Sequence, residues 1–169
     1  MLNSLTAETP NQRCPSSMLR AAAAALVALT LALAVPAWSA IEISGAIATD
    51  TTLEAGATYH VTGTLTVGAD AILTVPAGTV LKANSGVRIQ VDGGLVANGT
   101  AGAPVHFTEV RDSSVGTDLD PESDPAPGGW FGIDIRNDGS ATLNEVRLRY
   151  AGTTHSVTFP QSIVKTGAG

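Results

Sequence analysis

From Ile41 onward the chain is written in short apolar pieces that return at a nearly constant spacing. Leu65-Thr66-Val67, Ile72-Leu73-Thr74-Val75, Val80-Leu81-Lys82-Ala83, Arg88-Ile89-Gln90-Val91, Leu95-Val96-Ala97 and Val105-His106-Phe107-Thr108 are each only a few residues long. Such pieces are too short to show a helical period and suit small strands. Gly63, Gly68, Gly78, Gly86, Gly93, Gly94 and Gly99 stand in the gaps between them, where a turn calls for positive φ. A longer period overlies the short one. Leu65 maps onto Ile89 at an offset of 24, Ile72 onto Leu95 at 23, and Val80 onto Val105 at 25. Three strands per two dozen residues mark a chain that winds and stacks each coil on the last.

The period predicts an all-β fold: a parallel β-helix (β-solenoid) of about four to five coils over residues 41–169. A polar insertion at about 111–128 interrupts it. A sandwich of hairpins would call for longer strands and two-residue Asn-Gly or Asp-Gly turns, and the constant offset favours coils instead. No stretch after Ile41 has the pattern of an amphipathic helix. Ile72, Leu73, Val75, Val80, Leu81, Ile89, Val91, Leu95 and Val96 are expected to form the apolar stack, with the alternating Thr residues facing water. Pro76 suits a strand end, where it removes no ladder bond. Asn84 and Asn98 suit turns, bonding to neighbours in adjacent coils. With aromatics at only 4%, bulk for an ordinary globular core is scarce, and stacked small side chains are the remaining source of burial.

The first forty residues call for separate treatment. Arg20 precedes an apolar run from Ala21 to Val35, followed by Pro36, Ala37, Trp38, Ser39 and Ala40. A basic flank, an apolar run of this length and small residues after a proline predict a cleaved secretory signal peptide over residues 1–40, cut after Ala37, Ser39 or Ala40. The competing reading is a membrane anchor, but no basic stop-transfer cluster follows the run. Met1 to Ser17 is long and polar for the start of a signal peptide, and Met18-Leu19-Arg20 makes a normal one, so Met18 is the expected initiator. The single cysteine, Cys14, lies upstream of the apolar run. The exported part therefore has neither a lipid-attachment cysteine nor disulfides, and hydrogen-bond ladders must supply its stability.

The run from Leu73 to Lys82, LTVPAGTVLK, and that from Gly94 to Thr108, GLVANGTAGAPVHFT, resemble bacterial secreted right-handed parallel β-helix proteins of the pectin-lyase-like fold. The resemblance continues at Pro127-Gly128-Gly129-Trp130-Phe131-Gly132-Ile133 and from Leu143 to Gly152, and covers nearly all of residues 44–152. It implies right-handed coils and a place in a surface protein. It implies little about activity, because this architecture hosts lyases, hydrolases, adhesins and passive stalks alike.

Candidate chemistry is sparse. Asp118, Asp120, Glu122 and Asp124, with Asp112 upstream, put carboxylates at alternate positions in the insertion, as a Ca2+ loop requires. Ser123 stands where an EF-hand loop needs its glycine, and Gly129 where it needs the bidentate Glu; a solvated acidic loop is the bland alternative. Trp130-Phe131 suits either a sugar platform or a core plug where the coil resumes, and large aromatics favour the plug. Asp134 and Arg136 alternate with Ile133 and Ile135 and point outward, with Asp138 in the following turn. Lyases of this fold add an Arg or Lys base beside acidic ligands, and hydrolases add Asp pairs with a Gly-His-Gly stretch; neither pattern is present. Arg88-Ile89-Gln90 only faintly echoes a hydrolase motif ending in Lys, so a solvated face is expected there. His60, His106 and His155 fall on separate coils without metal-ligand spacing.

Nine Lys and Arg against fifteen Asp and Glu give a net charge of -6 with no basic cluster, which excludes a nucleic-acid surface. The expectation is an exported or cell-surface β-helix module without catalysis of its own, with extracellular polysaccharide or cell-surface components as partners and no membrane span once cleaved. The alternative is the non-catalytic N-terminal part of a polysaccharide lyase or glycoside hydrolase. The glycine-rich end at Thr166-Gly167-Ala168-Gly169 has no capping element. That predicts a piece of a longer protein, or self-association through the open C-terminal coil.

Overall fold

The computed structural model describes residues 40–152 and 163–166. The expected signal peptide up to Ser39, His155 and the last three residues lie outside the described residues. Among the described residues there are twelve strands and no helix. They are β1 (Ile41–Ile47), β2 (Thr51–Thr52), β3 (Thr58–Val67), β4 (Ile72–Pro76), β5 (Val80–Ala83), β6 (Arg88–Val91), β7 (Gly94–Asn98), β8 (Val105–Glu109), β9 (Gly132–Arg136), β10 (Ser140–Asn144), β11 (Val146–Leu148) and β12 (Ile163–Thr166). All pairings between strands are parallel.

The strands form three rows. β2, β4, β7 and β10 pair in that order in one sheet. In the other, β3 is a hinge: Thr58–Val61 pairs with β5, and Leu65–Val67 pairs with β6. From β5 the row continues to β8 and β11, and from β6 to β9 and β12. The chain visits the rows in rotation, β4 then β5 then β6, β7 then β8 then β9. That rotation defines a parallel β-helix, as the period predicts. Its strands are short because each ends at a corner, and Gly93 shows why a corner excludes a side chain. A Cβ there would lie 2.1 Å from the carbonyl oxygen of Gly68 in the preceding coil.

Side chains alternate in and out, and the inward ones stack between coils. Leu65, Ile89 and Ile133 lie in register and are essentially inaccessible. Leu73 and Leu95 stack likewise, as do Tyr59, Leu81 and Phe107. Each large aliphatic chain buried this way stabilises the fold by about 1.5–3 kcal/mol. The corner asparagines bond between coils as expected: Asn144 Nδ2 donates to Asn98 Oδ1 at 3.2 Å, and His60 Nε2 lies 2.7 Å from Asn84 Oδ1.

The register departs from the sequence expectation at two of three points. Leu65 pairs with Ile89 as expected, but Ile72 pairs with Gly94, and Val80 with His106. Both differ by one residue, and a one-residue slip changes the face. Ile72 therefore points outward, 44% exposed, and Val96 is only partly buried, so neither belongs to the core stack. Leu73 and Ala97 fill those inward places.

Candidate functional site

Two polar constellations decorate the outside of the strands, and they differ in how completely their groups are partnered. The first surrounds the insertion between β8 and β9. Glu109 at the end of β8 is fully buried, pairs with Arg111, and accepts the amide of Ala126 at 3.1 Å. One carboxylate thus holds both the entry and the exit of the loop. Gly129 is required beside it, because a Cβ there would lie 2.1 Å from the Glu109 carboxyl carbon.

Beyond this neck the first half of the loop folds back over three strands as a strap. Asp112, 1% exposed, accepts the Thr108 hydroxyl at 2.7 Å and the Ser114 amide at 3.1 Å, with the Arg149 guanidinium 3.7 Å away. Burial pushes its carboxyl up, but the bonds from Ser114 and Thr108 and the charge of Arg149 outweigh this and hold it below its ordinary value. The backbone carbonyl of Asp112 accepts from Lys82 Nζ at 2.6 Å. Lys82 is fully buried on β5, and burial lowers its ammonium pKa against the pull of Asp112 and Asp118. Further along, the Thr117 amide donates to Thr58 Oγ1 on β3 at 3.1 Å. His106 lies on the same row, its pKa lowered by burial and then by Arg149 and Arg147.

The four carboxylates singled out from the sequence occupy the other half of the loop. Asp118, Glu122 and Asp124 are exposed and Asp120 is half-buried; Asp118 Oδ1 accepts the Asp120 amide at 3.3 Å. No three His, Cys, Asp or Glu are grouped to hold a metal ion among the described residues. Asp112, the fifth acid of the loop, is the one the fold uses, as the anchor of the strap. Little in the sequence separates it from the other four, because its partners other than Ser114 come from β5, β8 and the segment after β11.

The second constellation lies on the outward face of β6 and β9. Thr66, Gln90 and Asp134 form one transverse row, with Thr66 Oγ1 donating to Gln90 Oε1 at 3.2 Å. Arg88 pairs loosely with Asp134 at 3.8 Å and lies over the Phe131 ring, 4.9 Å from its centroid. Arg136 Nη2 donates to Asp92 at 2.9 Å, and Asn137 Nδ2 to the other oxygen of Asp92 at 2.8 Å. Beside the strap only His106 Nδ1 is buried without a partner among the described residues; this strip has more such groups. Asp134 Oδ1 and Arg136 Nε are buried without a partner among the described residues, and Arg88 and Asp134 make no hydrogen bond there. Groups left short of partners in a native fold ask for an explanation.

Asp134 and Arg136 do point outward from one strand, as the alternation requires. Their assembly with Arg88, Gln90 and Asp92 escapes the sequence because the insertion separates β6 from β9. Trp130 is the expected plug: it is 1% exposed, and its indole N–H donates to the Arg149 carbonyl at 2.9 Å. Phe131, its neighbour, instead lies half-buried under Arg88.

Residues 45–120 match the family model of the pectate-lyase-like beta helix domain. No curated protein and no solved structure matches the chain. The match takes in Arg88, Gln90 and Asp92 and ends inside the insertion, short of Asp134 and Arg136. Three rows of parallel strands in rotation make the described part of the chain a parallel β-helix, and over residues 45–120 that helix is similar to the pectate-lyase-like beta helix domain.

Proposed function

We propose that the chain is an exported β-helix module whose outward strip on β6 and β9 binds an extracellular polysaccharide or cell-surface component without converting it. The strip's unspent hydrogen-bonding capacity carries this reading. It sits on strands fixed by ladders on both sides, a rigid base of the kind that keeps the entropy cost of binding low. Its two acids are each matched to an arginine, Arg88 with Asp134 and Arg136 with Asp92, which suits recognition better than proton transfer.

Export rests on the apolar run from Ala21 to Val35 and the small residues after it. Expressed whole in a bacterium, the chain is expected outside the inner membrane with a new N-terminus just after Ala37, Ser39 or Ala40. For the binding role, the chain is passed over a panel of insoluble polysaccharides and the soluble phase is assayed for new reducing ends and unsaturated sugars. Retention without released sugar supports the proposal. Released sugar that disappears in Asp134→Ala would assign the strip to a lyase or hydrolase instead.

A further inference from the structure

We infer that the strip on β6 and β9 selects an uncharged, polyhydroxylated ligand over the acidic polymers that the name of the matched family suggests; this rests on the binding role proposed above. The charges of the strip cancel. Arg88 and Arg136 face Asp134 and Asp92, two of each sign, in a chain whose net charge is -6. A polyanion approaching it meets two carboxylates in the strip and an acidic molecule behind them, and long-range attraction is missing.

What the strip does offer is short-range and mixed in kind. Arg88 has donors with no partner among the described residues, Gln90 has spent its amide oxygen on Thr66, and Asp134 accepts no hydrogen bond there. Donors and an acceptor therefore stand on neighbouring strands roughly 4.8 Å apart. A hydroxyl is both donor and acceptor, so adjacent hydroxyls of one ligand can serve both kinds at once. A row of carboxylates could serve only the donors and would leave Asp134 opposed by like charge.

The Arg88 guanidinium, over the Phe131 ring, adds a planar group on which the apolar face of a sugar ring can lie. Asp134, with its side chain 21% exposed, and Arg88, 40% exposed, can turn toward a ligand without breaking a stronger bond, since their mutual distance is 3.8 Å. The strap constellation shows the contrast. Asp112 there is saturated by Thr108, Ser114 and Arg149 and has nothing left to offer.

Affinity electrophoresis of the full chain tests this in gels containing dextran, mixed-linkage β-glucan, galactan or polygalacturonate, each run at low and high salt. Retardation by at least one neutral polymer, unchanged by salt, is expected, with polygalacturonate inert. Arg88→Ala and Asp134→Ala should each weaken that retardation on the order of tenfold, the loss of a charge-assisted hydrogen bond. Glu122→Ala, in the exposed half of the insertion, should leave it unchanged, and matched circular dichroism spectra show that each variant folds. Preference for polygalacturonate, relieved by salt, overturns the inference but leaves a binding module. Neutral retention that survives both strip substitutions overturns the location. Failure of all four polymers to retard the chain overturns the binding role and the inference together.

Discussion

Asp112 joins groups that are far apart in sequence, and its removal tests whether the strap is held by charge or by shape. Asp112→Ala leaves the Thr108 hydroxyl buried without its acceptor and leaves Arg149 without its anion. A loss of about 2–4 kcal/mol in unfolding free energy is expected, read by urea denaturation. The pH dependence has a definite sign. The folded carboxyl titrates below its ordinary value of 3.8, so its contribution is full above that value and fades as pH falls through the lowered folded pKa. The gap between wild type and variant should therefore be constant near neutrality and close only in strong acid. A gap that instead closes between neutrality and pH 5, a window set by ordinary His and carboxylate titration, would point to another group. Gly129 makes a second test at this scale. Gly129→Ala drives a Cβ into the Glu109 carboxylate, so the neck must open. A destabilisation of about 1–3 kcal/mol, as for other overpacked sites, is expected in the same assay.

Among elements, the strap and the ladders call for different measurements. Gly116 has a φ of 61° and lies so close to Thr58 and Val80 that a Cβ would meet Thr58 Oγ1 at 2.6 Å. Gly116→Val should lift the strap while leaving the strands paired. Amide exchange at His60 and Lys82 should then quicken, with little change in the global transition. Ile89→Ala, in the middle of the Leu65–Ile89–Ile133 stack, should instead cost about 2–5 kcal/mol globally. The ladders were largely legible in the sequence, because three strands per period and one true offset, Leu65 to Ile89, are enough to specify coils. The other two offsets missed by one. Ile72-Leu73 and Leu95-Val96 are consecutive apolar residues, and an alternating pattern cannot choose the inward one between them. Only the Gly94 opposite Ile72 and the Ala97 opposite Val75 settle it, and both are too small to advertise a core position. Of the strip only the outward face of Asp134 and Arg136 was legible, and of the strap only the place of Asp112 in the insertion. Each depends on an insertion that brings together residues from different coils, such as Lys82 with Asp112 and Arg88 with Asp134. No local period records such a meeting.

At the scale of the whole molecule, stability in a stacked repeat is close to a sum over neighbouring coils. Strands with a partner on both sides, β3 to β9, should exchange their amides slowest. Those ending the rows among the described strands, β1, β2, β10, β11 and β12, should exchange fastest. Hydrogen exchange with peptide-level mass spectrometry reads this directly, and uniform protection along the rows would speak for one all-or-none unit. The neck at Glu109 has a consequence at the same scale. Because Arg111 and the Ala126 amide meet on one buried carboxylate, the two ends of the loop stay side by side whatever tract joins them. The exposed stretch around Glu122 is then a splice point in a stiff carrier. A foreign epitope or a small folded domain inserted there would ride on the outside as a passenger, and the host strands would not register that the cargo had changed.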